Sequence, residues 1–120
     1  VNVMSCGMAM ELLWNIVDNA FKHGGSEVVI RATEPNGKTV ILEIEDNGGG
    51  LPRNVIEFMN TPDVLRSPVA PGLGLGVILI RGLAVLCGVQ LAVSDRKEDS
   101  NVIGTRFELM FNGAQSTATT

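Results

Sequence analysis

The chain has 120 residues, 45% of them hydrophobic, a length that can bury one core but hardly two, so we expect a single domain. Its formal net charge is −4, and its nine Lys and Arg residues are scattered along the sequence. This distribution argues against an electrostatic surface for nucleic acid or anionic membrane, and it leaves a small anionic ligand open.

The first predicted element is an amphipathic helix from Met8 to His23. Its apolar residues recur at helical spacing, and "HGG" ends the pattern with glycine in the usual stop position. On the opposite side, five polar residues fall within an arc of roughly 100° when the helix is plotted at 100° per residue. These residues are Glu11, Asn15, Asp18, Asn19 and Lys22.

This polar face has two interpretations. It can be an ordinary solvated surface, as on most amphipathic helices. Asparagine is a poor helix former, however, and Asn15 and Asn19 stand four residues apart, with Lys22 three residues further on. Amide oxygens are good ligands for Mg²⁺, and an ammonium group one turn away would meet a phosphate. The face therefore also suits a metal-bound polyphosphate.

A β-hairpin is predicted next, because "EVVIRATE" and "TVILEIED" are rich in β-branched residues and "PNGK" supplies the turn. The second strand ends in Asp46, which is followed by Asn47 and three glycines. One interpretation is a strand that ends in a tight turn. The other makes Asp46 an acceptor for an exocyclic amine such as that of adenine, with Gly48 and Gly50 letting the backbone approach a flat ring.

A long loop is predicted from Gly48 to Gly72, where the sequence has four prolines and little sustained periodicity. The stretch "GLGLGV" then leads into a second helix, from about Gly74 to Cys87. It is neither a P-loop nor a dinucleotide fingerprint, because no Gly-Lys-Ser/Thr follows and the third glycine comes one position early. Free N–H groups at such a helix start can hold phosphates, and a glycine-rich helix start without a ligand is the alternative.

Two further strands are predicted in "VQLAVSD" and "GTRFELMF". The alternation of helices and strands predicts an α/β two-layer sandwich. The segments "NIVDNAFKHG", "DNGGGLP", "GLGLGV" and "GTRF" follow one another over nearly the whole chain. In this order they resemble the successive boxes of the GHKL ATP-binding superfamily, most closely the catalytic domain of bacterial sensor histidine kinases. The resemblance implies a mixed sheet of about five strands, covered on one face by helices.

The resemblance also implies a role for each box. Asn19 would be the magnesium ligand, with Asn15 assisting. Lys22 and His23 would face the phosphates, and Asp46 would bind the adenine amino group. Asn15, Lys22 and His23 are therefore the expected catalytic residues, although His23 has an alternative role at the helix end, beside the negative end of the helix dipole. The other expected ATP contacts are Gly48, Gly50, Leu51, Gly72, Leu73, Gly74, Leu75, Gly76 and Thr105.

Within the expected ATP-binding domain, residues 1–112, residues 53–71 become a mobile lid anchored by the glycines of "GLGLGV". Residues 113–120 are expected to form a flexible tail. Gly49 stands where the family often has proline, and Phe58 is the only recognisable phenylalanine of the lid, so the lid departs from the family pattern.

The position of Asn15 separates branches of the superfamily. Gyrase-like and mismatch-repair ATPases and anti-sigma serine kinases commonly carry a glutamate general base four residues before the magnesium asparagine. An amide cannot take a proton from water or serine, so Asn15 favours the histidine kinase branch. A hydrolase or serine kinase of the same fold and a catalytically inactive nucleotide-binding module are the alternatives.

His23 is the only histidine and lies in the asparagine box, so we expect an excised catalytic domain whose acceptor histidine lies elsewhere. The expected partners are ATP, Mg²⁺, the dimerisation and histidine-phosphotransfer domain of the same kinase and, indirectly, a response regulator. No nucleic acid and no direct membrane contact are expected. The two cysteines are expected to be reduced thiols of a cytoplasmic domain, whose parent protein can be anchored in the inner membrane.

Overall fold

A computed structural model describes residues 7–61 and 73–112. In chain order these residues form α1 (Ala9–Lys22), β1 (Val28–Thr33), β2 (Thr39–Asp46), α2 (Arg53–Asn60), α3 (Leu75–Leu86), β3 (Gln90–Glu98) and β4 (Asn101–Asn112). The predicted first helix, the predicted hairpin and the last two predicted strands are all confirmed.

The four described strands form one sheet in the order β1-β2-β4-β3, and each neighbouring pair is antiparallel. The predicted α/β two-layer sandwich is confirmed, and four strands are close to the expected number of about five. A mixed sheet was expected, whereas every described pairing is antiparallel. The reason is that β4 inserts between β2 and β3, which run in the same direction, and β2 likewise separates β1 from β4, so no two described strands of the same direction are neighbours.

The core lies between one face of the sheet and the three helices. In β4, Phe107, Leu109 and Phe111 are buried, while the intervening residues lie on the outer face, as the two-residue period of a strand requires. The helices contribute fully buried side chains to the same cluster, among them Leu12 of α1 and Ile80 of α3. The end of α1 lies beside the carboxyl end of β2, because the carbonyl of His23 accepts a hydrogen bond from Gly49, and the start of α3 lies beside α1.

The segment that was predicted to be a long loop begins with a helix, so that prediction is wrong for residues 53–60. Val55 and Met59 stand four residues apart on α2 and are buried in the core. Eight residues span little more than two turns, too short a stretch for helical periodicity to stand out in the sequence. The rest of the expected lid, residues 62–71, and the expected tail lie outside the described residues, so their mobility stays a prediction.

Helix α3 occupies almost the predicted range, with Gly74 and Cys87 as its flanking residues. Cys87 is disulfide-bonded, so the expected reduced thiol is wrong at this position, and Cys6 lies outside the described residues. Within the described part of the chain, no helix has the length and apolar character needed to cross a membrane.

Candidate functional site

A cavity of about 350 Å³ lies between the polar face of α1 and the start of α3. It brings together most of the residues predicted to handle phosphate and metal. The lining residues are Asn15, Asp18, Asn19, Lys22, His23, Leu73, Gly74, Leu75, Gly76 and Val77. Gly72 lies outside the described residues, and Asp18 is a lining residue to which the sequence assigned no role.

The two asparagines of α1 present oxygens that suit a hard cation. Asn19 is only 7% exposed, yet its side chain makes no hydrogen bond within the described residues, so its amide is available to a ligand in the cavity. Asn15 donates from Nδ2 to the carbonyl oxygen of Glu11 at 2.7 Å, and this bond leaves its Oδ1 for a cation. No cluster of three or more His, Cys, Asp or Glu occurs among the described residues. Mg²⁺ does not need one, because it is usually held by one or two protein oxygens together with phosphates and water.

The two residues at the end of α1 differ in what their side chains do. The Nζ atom of Lys22 lies 3.1 Å from Oδ2 of Asp18, and both side chains are largely exposed. Such a surface pair is weak, so an anion in the cavity can compete for the ammonium group. His23 contributes through its backbone: its N–H donates to the carbonyl of Asn19, and its own carbonyl accepts from Gly49 at 3.4 Å.

The start of α3 forms the opposite wall of the cavity. Gly74 precedes the helix with φ of 86°, a left-handed conformation that favours glycine. The helix has no side-chain cap and no acidic residue in its first turn, so no group described there compensates its positive end, which faces the cavity. A Cβ atom at Gly76 would meet no described atom within 4 Å, so packing does not explain this glycine.

Asp46 ends β2 and is 6% exposed. Its Oδ1 accepts hydrogen bonds from the N–H groups of Gly48 at 2.9 Å and Thr105 at 3.2 Å. Its backbone carbonyl accepts from Nη1 of Arg96 at 2.6 Å. Because the side-chain bonds within the described residues all use Oδ1, Oδ2 is the atom that can accept from an exocyclic amine.

The loop after Asp46 is held against both of its neighbours. A Cβ atom at Gly48 would come within 2.8 Å of the carbonyl oxygen of His23, so a larger residue cannot fit there without a shift of the backbone. Gly50 lies against Val102 at the end of the β3–β4 hairpin, and Leu51 is half-buried against the core. The loop therefore closes the Asp46 end of the site.

Sequence reasoning missed two side chains that fix this end. Asn47 accepts hydrogen bonds from the N–H groups of Ser26 and Glu27, at 2.8 and 3.0 Å, and donates to Oγ of Ser26. An Asn directly after a strand is a known turn signal and could have identified it. Arg96 carries no local signal, because the carbonyl that it binds lies 50 positions away.

On the outer face of the sheet, Glu45 is buried between two arginines. Its Oε2 lies 2.7 Å from Nε of Arg106, and its Oε1 lies 2.9 Å from Nη1 of Arg31. The hydrogen bonds from Arg106 and Arg31 hold the pKa of Glu45 below its usual range. This carboxylate faces away from the helices, so we assign it to the stability of the sheet.

A larger cavity, about 700 Å³, lies between α2 and β3 and contains none of the predicted site residues. Thr61, which lines it, is the last described residue before the gap at 62–72. We place the function at the smaller cavity because amide, ammonium and helix-start N–H groups converge there.

Comparisons with known proteins identify the family of this chain. A family described as "Histidine kinase-, DNA gyrase B-, and HSP90-like ATPase" matches residues 8–115. The chain is 31% identical over 115 residues to the signal transduction histidine-protein kinase/phosphatase MprB of Mycobacterium sp. (strain KMS). This alignment covers 91% of this chain and 22% of that protein. It is 32% identical over 84 residues to the sensor histidine kinase GtrS of Pseudomonas aeruginosa, covering 70% of this chain and 17% of that protein. The chain thus spans 17% and 22% of the length of these two relatives.

Solved structures share the fold. The mycobacterial sensor histidine kinase MprB superposes with a TM-score of 0.62 at 24% identity, covering 84% of this chain and 67% of that chain. The catalytic domain of histidine kinase ThkA superposes with a TM-score of 0.60 at 20% identity, covering 86% of this chain and 64% of that chain.

Proposed function

The chain belongs to the family of histidine kinase-, DNA gyrase B- and HSP90-like ATPases, and on that premise we propose that it is the ATP-binding catalytic domain of a two-component histidine kinase. In this proposal it holds ATP with Mg²⁺ and presents the γ-phosphate to a histidine on a separate dimerisation domain. One observation carries the proposal: the amide and ammonium groups of α1 meet the uncapped start of α3 in one cavity.

The phosphate chain would lie in that cavity. Lys22 would leave its exposed pair with Asp18 and place its ammonium group on the phosphates, while the first-turn N–H groups of α3 donate to phosphate oxygens. The oxygens of Asn19 and Asn15 would hold the cation. A cation held there would supply neutralisation of the phosphate charge.

The base would lie at Asp46, whose Oδ2 would accept a hydrogen bond from the amino group of adenine. Guanine presents a carbonyl oxygen at the same ring position, and two acceptors facing each other in a closed site repel. Thr105 supports this role because its N–H holds Oδ1 and leaves Oδ2 for the ligand. Gly48, Gly50 and Leu51 would form the walls around the ring.

The chemistry would be transfer to an acceptor that needs no activation. The amide of Asn15 has no basic site to remove a proton from water, so water in the cavity is not made nucleophilic by this residue. A histidine imidazole is already a nucleophile, and positioning together with charge neutralisation suffices for its attack. His23 does not suit the acceptor role, because it lies in the wall of the nucleotide cavity itself.

Calorimetric titration with ATP and a non-hydrolysable analogue, with and without Mg²⁺, tests the binding half of the proposal. ATP and the analogue should bind, more tightly with Mg²⁺, and GTP should bind weakly. A domain that binds none of these nucleotides would overturn the proposal.

The transfer half needs the dimerisation domain of the parent kinase as a separate polypeptide. Addition of this polypeptide should yield an acid-labile phosphohistidine on it when ATP is present. Fast, Mg²⁺-dependent phosphate release by the catalytic domain alone would instead favour a hydrolase.

A further inference from the structure

The side chain of Arg96 crosses the sheet to reach Asp46. Arg96 lies on β3, and its partner in the ladder is Gly104 on β4. Asp46 ends β2, which lies on the other side of β4. Nη1 of Arg96 nevertheless donates to the carbonyl oxygen of Asp46 at 2.6 Å, so the arginine spans β4 at the one position where β4 has no side chain.

The strand pairing is irregular at the same place. Arg96 pairs with Gly104, whereas Lys97 pairs with Val102, so Ile103 is an extra residue in β4. A bulge of this kind redirects neighbouring side chains and increases the local twist of the sheet. A Cβ atom at Gly104 would overlap the carbonyl oxygen of Asp46, so β4 also comes close to the end of β2 at this point.

Three hydrogen bonds therefore fix Asp46 before any ligand arrives. Arg96 holds its carbonyl oxygen, and the N–H groups of Gly48 and Thr105 hold Oδ1 of its carboxylate. All three bonds involve a charged group, and the bond from Arg96 is the shortest, at 2.6 Å. It fixes the backbone from which the carboxylate extends, and so it sets where Oδ2 lies.

We propose that Arg96 is a positioning residue for adenine recognition, and that the preference of the site for adenine over guanine depends on it. Arg96 acts through the backbone of Asp46. This inference rests on the proposed function, in which Asp46 accepts the adenine amine.

The chain contains a matched control in Arg106. Its Nε donates to Oε2 of Glu45, the residue immediately before Asp46, at 2.7 Å. Arg96→Met and Arg106→Met therefore each remove one arginine contact to the end of β2, and both should lower stability. Of the two arginines only Arg96 contacts Asp46, so only Arg96→Met should change base discrimination.

The experiment measures dissociation constants for ADP, GDP and inorganic tripolyphosphate in the wild type, Arg96→Met, Arg96→Lys, Arg96→Gln and Arg106→Met. Arg96→Met should weaken ADP binding by roughly three- to tenfold and reduce the ADP-to-GDP preference by a similar factor, less than the loss of a direct charged contact, because Arg96 acts through Asp46. Tripolyphosphate binding should be unchanged, since it uses the other end of the site. Arg96→Lys should keep more of the wild-type preference than Arg96→Gln does. Lysine keeps a charged N–H donor, whereas glutamine offers a neutral donor on a shorter side chain.

An unchanged ADP-to-GDP preference in Arg96→Met, or an equal loss in Arg106→Met, would overturn the inference. Should Arg96→Met fail to fold, the lysine and glutamine variants decide, and wild-type preference in both would count against it. Other results would contradict the proposed function itself, and they can be told apart from a failure of the role of Arg96. A wild type that binds neither ADP nor ATP would contradict nucleotide binding, and an Asp46→Ala variant that keeps its base preference would contradict the role of Asp46.

Discussion

The two ends of the candidate site are built differently. At the adenine end, Asp46 is held through its carbonyl and its Oδ1 by three groups from the sheet and its loop. At the phosphate end, the amide of Asn19 makes no hydrogen bond within the described residues, and Lys22 is held only by an exposed ion pair. In the proposed function, one end has its hydrogen bonds in the free protein, and the other gains them from its ligand.

This difference follows from the elements that supply each end. Strand β2 lies between β1 and β4, so its last residue pairs with Val28 of β1 on one side and is held through its carboxylate by the N–H of Thr105 in β4 on the other. The proposed phosphate cavity instead lies between the surface of one helix and the start of another, and the described groups that face each other across it form no hydrogen bond. Affinity for the base should therefore depend on the protein alone, and affinity for phosphate should depend on the cation as well.

The largest loss of ATP affinity is expected from a substitution at the proposed adenine end of the site. Asp46→Ala should weaken ATP binding by about 1–3 kcal/mol, because an amine enclosed in the site then lacks its acceptor. GTP should compete better with ATP in this variant. Glu34→Ala, which changes an exposed carboxylate between β1 and β2, is the control and should bind both nucleotides as the wild type does. An Asp46→Ala variant that keeps wild-type ATP affinity and still excludes GTP would remove Asp46 from the adenine pocket.

The second-largest loss of ATP affinity is expected from a substitution in the proposed phosphate cavity. Asn19→Ala should weaken ATP binding roughly tenfold in the presence of Mg²⁺ and much less in its absence, because the amide oxygen acts on the cation. Titrations in magnesium and in a chelator measure both values, with Asn54→Ala on the exposed face of α2 as the control. Equal losses in the two conditions would mean that Asn19 is not a metal ligand.

The sequence predicts those features that have a local cause. Helix α1 and the hairpin ending at Asp46 follow from periodicity and turn residues. The insertion of β4 between β2 and β3 depends on long-range pairing, which no local pattern encodes. Likewise, α2 is defined mainly by the burial of Val55 and Met59, and the bond from Arg96 needs two segments to meet.

Substitution of Gly74 and Gly76, at the start of α3, tests whether phosphate binding requires that these two positions have no side chain. Replacement of Gly74 and Gly76 by alanine should weaken ATP binding more than ADP binding, and ADP more than adenosine. At Gly74, alanine must adopt a positive φ, at a cost of roughly 1–2 kcal/mol, which shifts the helix start. Gly82→Ala, in the middle of α3 with no described atom within 4 Å of its added Cβ, should leave all three affinities unchanged. Equal losses for adenosine and ATP would make "GLGLGV" a structural helix start and nothing more.

The smallest effect on the site is expected from Glu45, which adjoins Asp46 but faces the other side of the sheet. Hydrogen bonds from Arg106 and Arg31 lower its pKa in the folded protein below its ordinary value of 4.5. Because the folded pKa is the lower one, the stabilisation is fully present above pH 4.5 and is lost as the pH falls towards the folded value. Glu45→Gln should therefore be less stable than the wild type at pH 7, and the difference should shrink in acid.

Urea unfolding of both proteins at pH 7 and at pH 3 measures this difference, with Glu43→Gln as a control, since Glu43 lies 3.5 Å from Arg31 and makes the weaker ion pair. The ADP-to-GDP preference of Glu45→Gln at pH 7 should equal that of the wild type, because the carbonyl and carboxylate of Asp46 keep their three hydrogen bonds. A stability difference that does not change with pH would contradict the role of Glu45 as a charged partner. A loss of base preference would show that the adenine end depends on the whole end of β2, and not on the bonds to Asp46 alone.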